Sequence, residues 1–109
     1  MKNILFLCSQ NQLRSPTAES IFSNIDGYDV RSAGLNKDAI TTLTPEFVEW
    51  ADYIFVMEKS HRNKLQKRFK RFLNKQRVIN LDIPDEYDYM DDALIKLLKQ
   101  RMGNFFSKY

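Results

Sequence analysis

The stretch Asn3-Ile4-Leu5-Phe6-Leu7-Cys8-Ser9-Gln10-Asn11-Gln12-Leu13-Arg14-Ser15-Pro16-Thr17-Ala18-Glu19-Ser20-Ile21-Phe22 decides the fold. Asn3 to Leu7 is a short apolar run of the kind a parallel strand shows when both of its faces are buried. Ser15-Pro16 is a helix-start signal, because proline lacks an N–H that the first turn leaves unpaired anyway. Glu19 is read with the acids that favour that end of a helix. Ala18, Ile21, Phe22 and Ile25 then recur on one face at helical spacing. The unit is strand, loop, helix, and the loop runs from Cys8 to Arg14.

That loop opens with the only cysteine of the chain and closes on an arginine, as Cys-x5-Arg followed by Ser15. Successive backbone N–H groups curling into a helix N-terminus form an anion-binding nest. A thiol at the mouth of such a nest feels both the helix dipole and the guanidinium, which favour the nucleophilic thiolate. Arg14 can grip two phosphoryl oxygens at once, which lysine does less well, and can stabilise charge on them during transfer. Asn11 and Ser15 carry side chains able to bond the sulfur or hold the loop's shape. A lone cysteine at a strand end is ordinarily a small buried hydrophobe. The spaced Arg14-Ser15 and the strand–helix flanks turn the reading toward phosphate chemistry.

Cys8 to Glu19 resembles the signature of the low-molecular-weight protein tyrosine phosphatases, Cys-x-Gly-Asn-x-Cys-Arg-Ser-Pro-x-Ala-Glu. The match covers the nucleophile, the Asn, the Arg-Ser-Pro and the Ala-Glu. The resemblance implies Cys8 as nucleophile and a phosphate-binding loop of Ser9, Gln10, Asn11, Gln12, Leu13, Arg14 and Ser15. Two departures matter. Gln10 stands where the family has Gly, which implies a tighter or differently turned loop. Leu13 replaces the second cysteine, so the family's intraloop disulfide has no second sulfur.

The 109 residues make one domain with a single modest core. Hydrophobic content of 43% and charged content of 28%, with three Gly and three Pro, are those of a folded globular chain. A single cysteine excludes an internal disulfide framework and fits a reducing compartment. The apolar run after Met1-Lys2-Asn3 is too short for a signal-peptide core or a membrane span, so a cytoplasmic protein with no membrane partner is expected. A net charge of +3 suits a phosphorylated ligand without demanding a nucleic acid.

Beyond the first helix, Asp26-Gly27 breaks the pattern and Tyr28 to Arg31 reads as a strand. Ser32-Ala33-Gly34 is similar to the family's Ser-Ala-Gly after its second strand. Leu35 to Leu43 reads as a loop, shorter than the family's segment, with Leu35 and Asn36 as candidates for lining the cleft rim or as plain connectors. Thr44-Pro45-Glu46 starts a short helix over Phe47 to Trp50, and Tyr53 to Met57 is a third strand. Met57-Glu58-Lys59-Ser60-His61 resembles the family's Met-Asp-x-x-Asn. Glu58 is read either as a contact to Arg14 or the loop, or as a first-turn helix acid. His61, the only histidine, is read as a surface or capping residue rather than a base. A lone histidine also argues against a His-based metal site.

Eight of the sixteen residues from Arg62 to Arg77 are Lys or Arg. Leu65, Phe69, Phe72 and Leu73 form the apolar stripe of an amphipathic helix among them. No nucleic-acid-binding motif accompanies the basic run, and a charged helix face is ordinarily just solvated. Val78 to Leu81 is the fourth strand. Six acids then fall within the eleven residues Asp82 to Asp92. The family carries its general acid in an Asp-Pro-Tyr loop here, and Asp85-Glu86-Tyr87 keeps that register with Glu for Pro. The resemblance implies Asp85 as the acid, with Asp82 as runner-up, and Tyr87 as a wall for the substrate's aromatic ring. Asp91 and Asp92 are read as caps of a last helix from Ala93 to Tyr109, whose Leu94, Leu97, Leu98, Met102, Phe105 and Phe106 keep helical spacing.

Four strands alternating with four helices predict a three-layer α/β/α domain on a four-stranded parallel sheet, as the resemblance also implies. The expected function is hydrolysis of protein phosphotyrosine or a similar aryl phosphate through a cysteinyl-phosphate intermediate. Cys8, Arg14 and Asp85 are the expected catalytic residues, inorganic phosphate or another oxyanion is the expected loop ligand, and no metal or cofactor is needed. Gln10 and Glu86 motivate an alternative, a pseudophosphatase that binds phosphorylated partners without turnover. A related arsenate reductase would need further cysteines, and a cysteine-phosphorylated sugar-transport subunit has no need of Arg14.

Overall fold

A computed structural model describes residues 1–106 of the chain. Its central strand is β1 (Lys2–Cys8), and its side chains alternate between two cores. Ile4, Phe6 and Cys8 enter one, while Leu5 and Leu7 enter the other. A strand buried on both faces has no polar positions to spare, which is why it reads as an unbroken apolar run. The remaining elements follow as α1 (Arg14–Phe22), β2 (Tyr28–Gly34), α2 (Pro45–Trp50), β3 (Tyr53–Val56), α3 (Lys59–Phe69), β4 (Arg77–Asn80) and α4 (Asp92–Met102). The sheet order is β2-β1-β3-β4, with every neighbouring pair parallel.

The first core packs Ala18 and Phe22 of α1 and Leu94, Leu98 and Met102 of α4 against the sheet. Phe6 is its hub, with ring centroids 5.8 Å from Phe22 and 5.5 Å from Phe55. The second core packs Val48 of α2 and Leu65 and Phe69 of α3 on the opposite face. Helices on both faces of a four-stranded parallel sheet make the three-layer α/β/α arrangement that the alternation predicts. No helix among the described residues is long and apolar enough to cross a membrane.

Local chemistry explains the element ends. Thr44 caps α2 by accepting from the Phe47 N–H, and Asp91 caps α4 by accepting from the Ala93 N–H. Three expectations need correction. Glu19 lies beyond the first turn of α1 and instead accepts a hydrogen bond from the Ser32 hydroxyl. The basic segment leaves α-helix at Phe69 for a 3-10 turn over Lys70–Phe72. Phe72 and Leu73 therefore reach the second core from beyond the helix. Helix α4 stops at Met102, before Gly103, and a turn rather than a helix carries Phe105 and Phe106 back to the first core. The last residues of that expected helix, 107–109, lie outside the described residues.

From β1 the chain crosses to β2 on one side of the sheet, whereas β3 pairs with β1 on the other. That reversal opens a crevice at the carboxyl ends of β1 and β3, where ligands bind in open α/β sheets. The loop after β1 and the Glu58 turn after β3 both sit there. Gly34 closes the side of the crevice at the end of β2. A Cβ added to it would lie 2.7 Å from the Ser9 carbonyl oxygen and 3.0 Å from the Asn11 nitrogen. Gly34→Ala should therefore destabilise the protein by about 1–3 kcal/mol through forced overpacking. It should show as a lower urea midpoint with the same slope. An unchanged midpoint would mean that loop and strand do not press on each other.

Candidate active site

The loop between β1 and α1 is shaped by backbone bonds from the segment after β2. The N–H groups of Leu35, Asn36 and Ile40 take the carbonyls of Cys8, Ser9 and Gln10 at 2.9, 2.9 and 3.0 Å. A trans peptide sets its N–H opposite its C=O, so the Ser9 and Gln10 N–H groups turn the other way, into the loop. Leu35 is fully buried in the second core, so of its two readings the structure does not have the one that lines the rim. Exposed Ile40 stands beside Gln10 instead, and no spacing in the sequence marks it.

Asn11 takes the left-handed conformation (φ 57°), which asparagine tolerates better than most residues. Gln10 does not, so a side chain at that position costs the loop no backbone strain. Asn11 also directs a chain of hydrogen bonds. Its buried amide donates to Ser15 Oγ at 3.0 Å and to Ser32 Oγ at 2.9 Å. Ser32 passes its own hydrogen to Glu19. Ser15, having accepted from Asn11, has one hydrogen left, with the Cys8 sulfur at 2.9 Å and the Ala33 carbonyl at 3.5 Å. Either the sulfur or the hydroxyl can donate in the closer contact, and the hydroxyl also reaches the Ala33 carbonyl, so Ser15 joins the sulfur to the buried Asn11 network.

Arg14 stands at the start of α1, 3% exposed. Its Nη1 donates to Glu58 Oε2 at 2.6 Å and to the Ile83 carbonyl at 2.8 Å, which uses both Nη1 hydrogens. The Nε–Nη2 edge is left to grip an anion, with Asp85 Oδ1 standing 3.7 Å from Nε. Of the two readings of Glu58, the contact to Arg14 is the one the structure has. That hydrogen bond holds the Glu58 carboxyl below the ordinary carboxylate range. Cys8, Ser9, Gln10, Gln12, Leu13, Arg14 and Asp85 line a cavity of about 120 Å³. This lies well under the ~300–1,000 Å³ of drug-sized pockets and suits a single phosphoryl head.

The acid-rich segment is anchored on both sides of Asp85. Ile83 N–H bonds the Met57 carbonyl at 2.8 Å, and Met90 N–H bonds Thr17 Oγ1 at 3.0 Å. Asp85 itself is exposed and touches the cavity. Asp82 adopts φ 52° and is tied to Asn80, lining an adjoining groove of about 430 Å³ rather than the cavity. Tyr87 is half-buried and packs against the first core, and the residues lining the cavity do not include it.

His61 corrects another expectation. It is 1% exposed, with Nε2 3.1 Å from Ser9 Oγ. Burial, and after it the charge of Arg14, pushes its pKa down to about 4. Between there and the ordinary value of 6.5 the unfolded chain binds a proton that the fold refuses. Stability therefore rises with pH through this window and is lost as acid is added. The loss should reach about 2 kcal/mol by pH 5. Urea midpoints at pH 7 and pH 5 measure it, and His61→Gln should flatten the difference; an undiminished slope in that variant would place its source elsewhere.

No family model matches the chain. A protein-arginine-phosphatase of Geobacillus stearothermophilus is 29% identical over 108 residues, covering 72% of this chain and 73% of the relative. The tyrosine phosphatase Wzb of Escherichia coli K30, solved with phosphate, superposes with a TM-score of 0.80 at 22% identity, over 98% of this chain and 97% of Wzb. A YwlE arginine phosphatase whose active-site cysteine is replaced by a phosphorylated serine superposes with a TM-score of 0.72 at 25% identity, over 97% and 96% of the two chains. The structural likenesses show a shared fold, and between its first strand and first helix lies the loop whose sequence, Cys8 to Glu19, is similar to the signature of the low-molecular-weight protein tyrosine phosphatases.

Proposed function

We propose that the protein hydrolyses phosphate monoesters of the phosphotyrosine type on protein substrates, through a phosphoryl group carried on Cys8. The observation that supports this best is the chain of hydrogen-bonding contacts from Asn11 through Ser15 to the Cys8 sulfur, beside the Nε–Nη2 edge of Arg14, where Asp85 stands 3.7 Å from Nε. In the first step the sulfur attacks phosphorus and the bond to the aryl oxygen breaks. Asp85 gives that oxygen its proton, because a phenolate leaves poorly without one. In the second step the Asp85 carboxylate takes a proton from water as the water oxygen bonds phosphorus and sulfur departs. Arg14 and the loop N–H groups hold the equatorial oxygens throughout.

Asp85→Ala should slow alkyl and unactivated aryl phosphates by about 10²–10⁴ and para-nitrophenyl phosphate far less, since a good leaving group needs little protonation. If Asp85→Ala leaves every rate unchanged while Asp82→Ala lowers them, the acid is Asp82. Steady-state turnover excludes the binding-only alternative, whereas tight vanadate binding without turnover supports it.

A second reading, protein phosphoarginine, rests on the curated relative's name and on the groove beside the cavity. Glu58, Asp82 and Asp85 face a single Lys59 there, a balance suited to a cationic guanidino group. Matched phosphotyrosine and phosphoarginine peptides, compared by kcat/KM, decide between the two.

A further inference from the structure

We infer that His61 is a positioning residue which gives its Nε2–H to the Ser9 oxygen and so turns the Ser9 hydroxyl into an extra donor for the oxyanion. The inference rests on the phosphate-binding reading of the loop. His61 lies in the first turn of α3, and its Nδ1 is buried with no hydrogen-bond partner among the described residues. Its Nε2 meets Ser9 Oγ at 3.1 Å. A neutral imidazole carries one hydrogen, so two arrangements compete.

Were the hydrogen on Nδ1, the protein would bury a donor with nothing to receive it, and the Ser9 hydroxyl would point back at Nε2. Were it on Nε2, the orphan is a bare lone pair. Buried N–H groups without a partner are rarer than under-used acceptors. The Nε2–H form is therefore favoured, and Ser9 Oγ accepts from it. Ser9 forms part of the cavity wall, and its carbonyl is already held by Asn36 N–H at 2.9 Å. Pinned at both oxygens, the residue offers its hydroxyl hydrogen beside its loop-facing N–H, and an anion in the cavity is the acceptor at hand. The basic helix α3 is thereby joined to the phosphate loop through one side chain.

The direct test is a two-bond ¹H–¹⁵N correlation spectrum of the single histidine at pH 7, which separates the tautomers. The Nε2–H form is expected, and the Nδ1–H form overturns the inference. Orthovanadate inhibition supplies the second readout. Ser9→Ala and His61→Leu should each weaken vanadate about tenfold, as loss of one hydrogen bond to a charged group does. The double variant should be no weaker than either alone. His61→Gln, whose amide N–H can reach the same oxygen, should recover most of the affinity. Ser9→Ala alters only a half-exposed loop side chain, so it reads the bond even where a buried replacement upsets folding. Wild-type-like inhibition of Ser9→Ala and of folded His61→Leu overturns the inference alone. A wild type that neither turns over aryl phosphate nor binds vanadate overturns the functional reading beneath it as well.

Discussion

Cys8→Ser removes turnover of para-nitrophenyl phosphate, with kcat falling by roughly 10⁴-fold or more, the scale on which loss of a catalytic nucleophile is felt. The substituted oxygen sits where the sulfur sat, still facing Ser15, but a serine hydroxyl is a weak nucleophile without a base beside it. The Arg14 edge and the loop N–H groups are untouched, so vanadate or phosphate titration should still show a bound anion. A variant that kept activity within tenfold would remove Cys8 from the reaction.

Arg14→Lys is the second large effect. The substitution preserves charge, yet one ammonium cannot hold Glu58 Oε2 and the Ile83 carbonyl while also offering a two-toothed edge to the substrate. A fall in kcat/KM of about 10²–10⁴ is expected, together with weaker vanadate inhibition. The bond to Ile83 gives the loss a second component. Without it the segment carrying Asp85 has one anchor fewer at the cavity, so the slow, poorly leaving substrates should suffer most. A variant within a fewfold of wild type on all substrates would contradict the picture of Arg14 as both clamp and strut.

Which parts of this molecule could be read from the chain follows from how local their causes are. β1 is legible because double-sided burial leaves an uninterrupted apolar run, and the Cys8-to-Ser15 loop is legible because its chemistry lies within eight consecutive residues. The caps at Thr44 and Asp91 are equally local. The end of α4 misleads because Phe105 and Phe106 satisfy a helical period and bury on the right face, yet reach it by a turn after Gly103. His61 misleads for the opposite reason. Its buried ring pairs with Ser9, fifty-two positions away, and nothing adjacent in sequence announces the pairing. The Glu58–Arg14 bond spans forty-four positions, so the adjacent residues left it as one of two readings, offered through the resemblance of the segment after β3. Asp82 and Asp85 look alike in sequence. A left-handed turn ties one to Asn80 while the other stands at the cavity, and that difference resides in backbone angles.

The measurement closest to the central claim is a rapid acid quench of the enzyme during turnover of an aryl phosphate, followed by mass spectrometry of the peptide containing Cys8. One phosphoryl group on the Cys8 sulfur, formed within the first turnover and missing from that peptide when phosphate-free enzyme is quenched, is the predicted result. Steady release of phosphate with Cys8 never modified, at quench times shorter than one turnover, would contradict it.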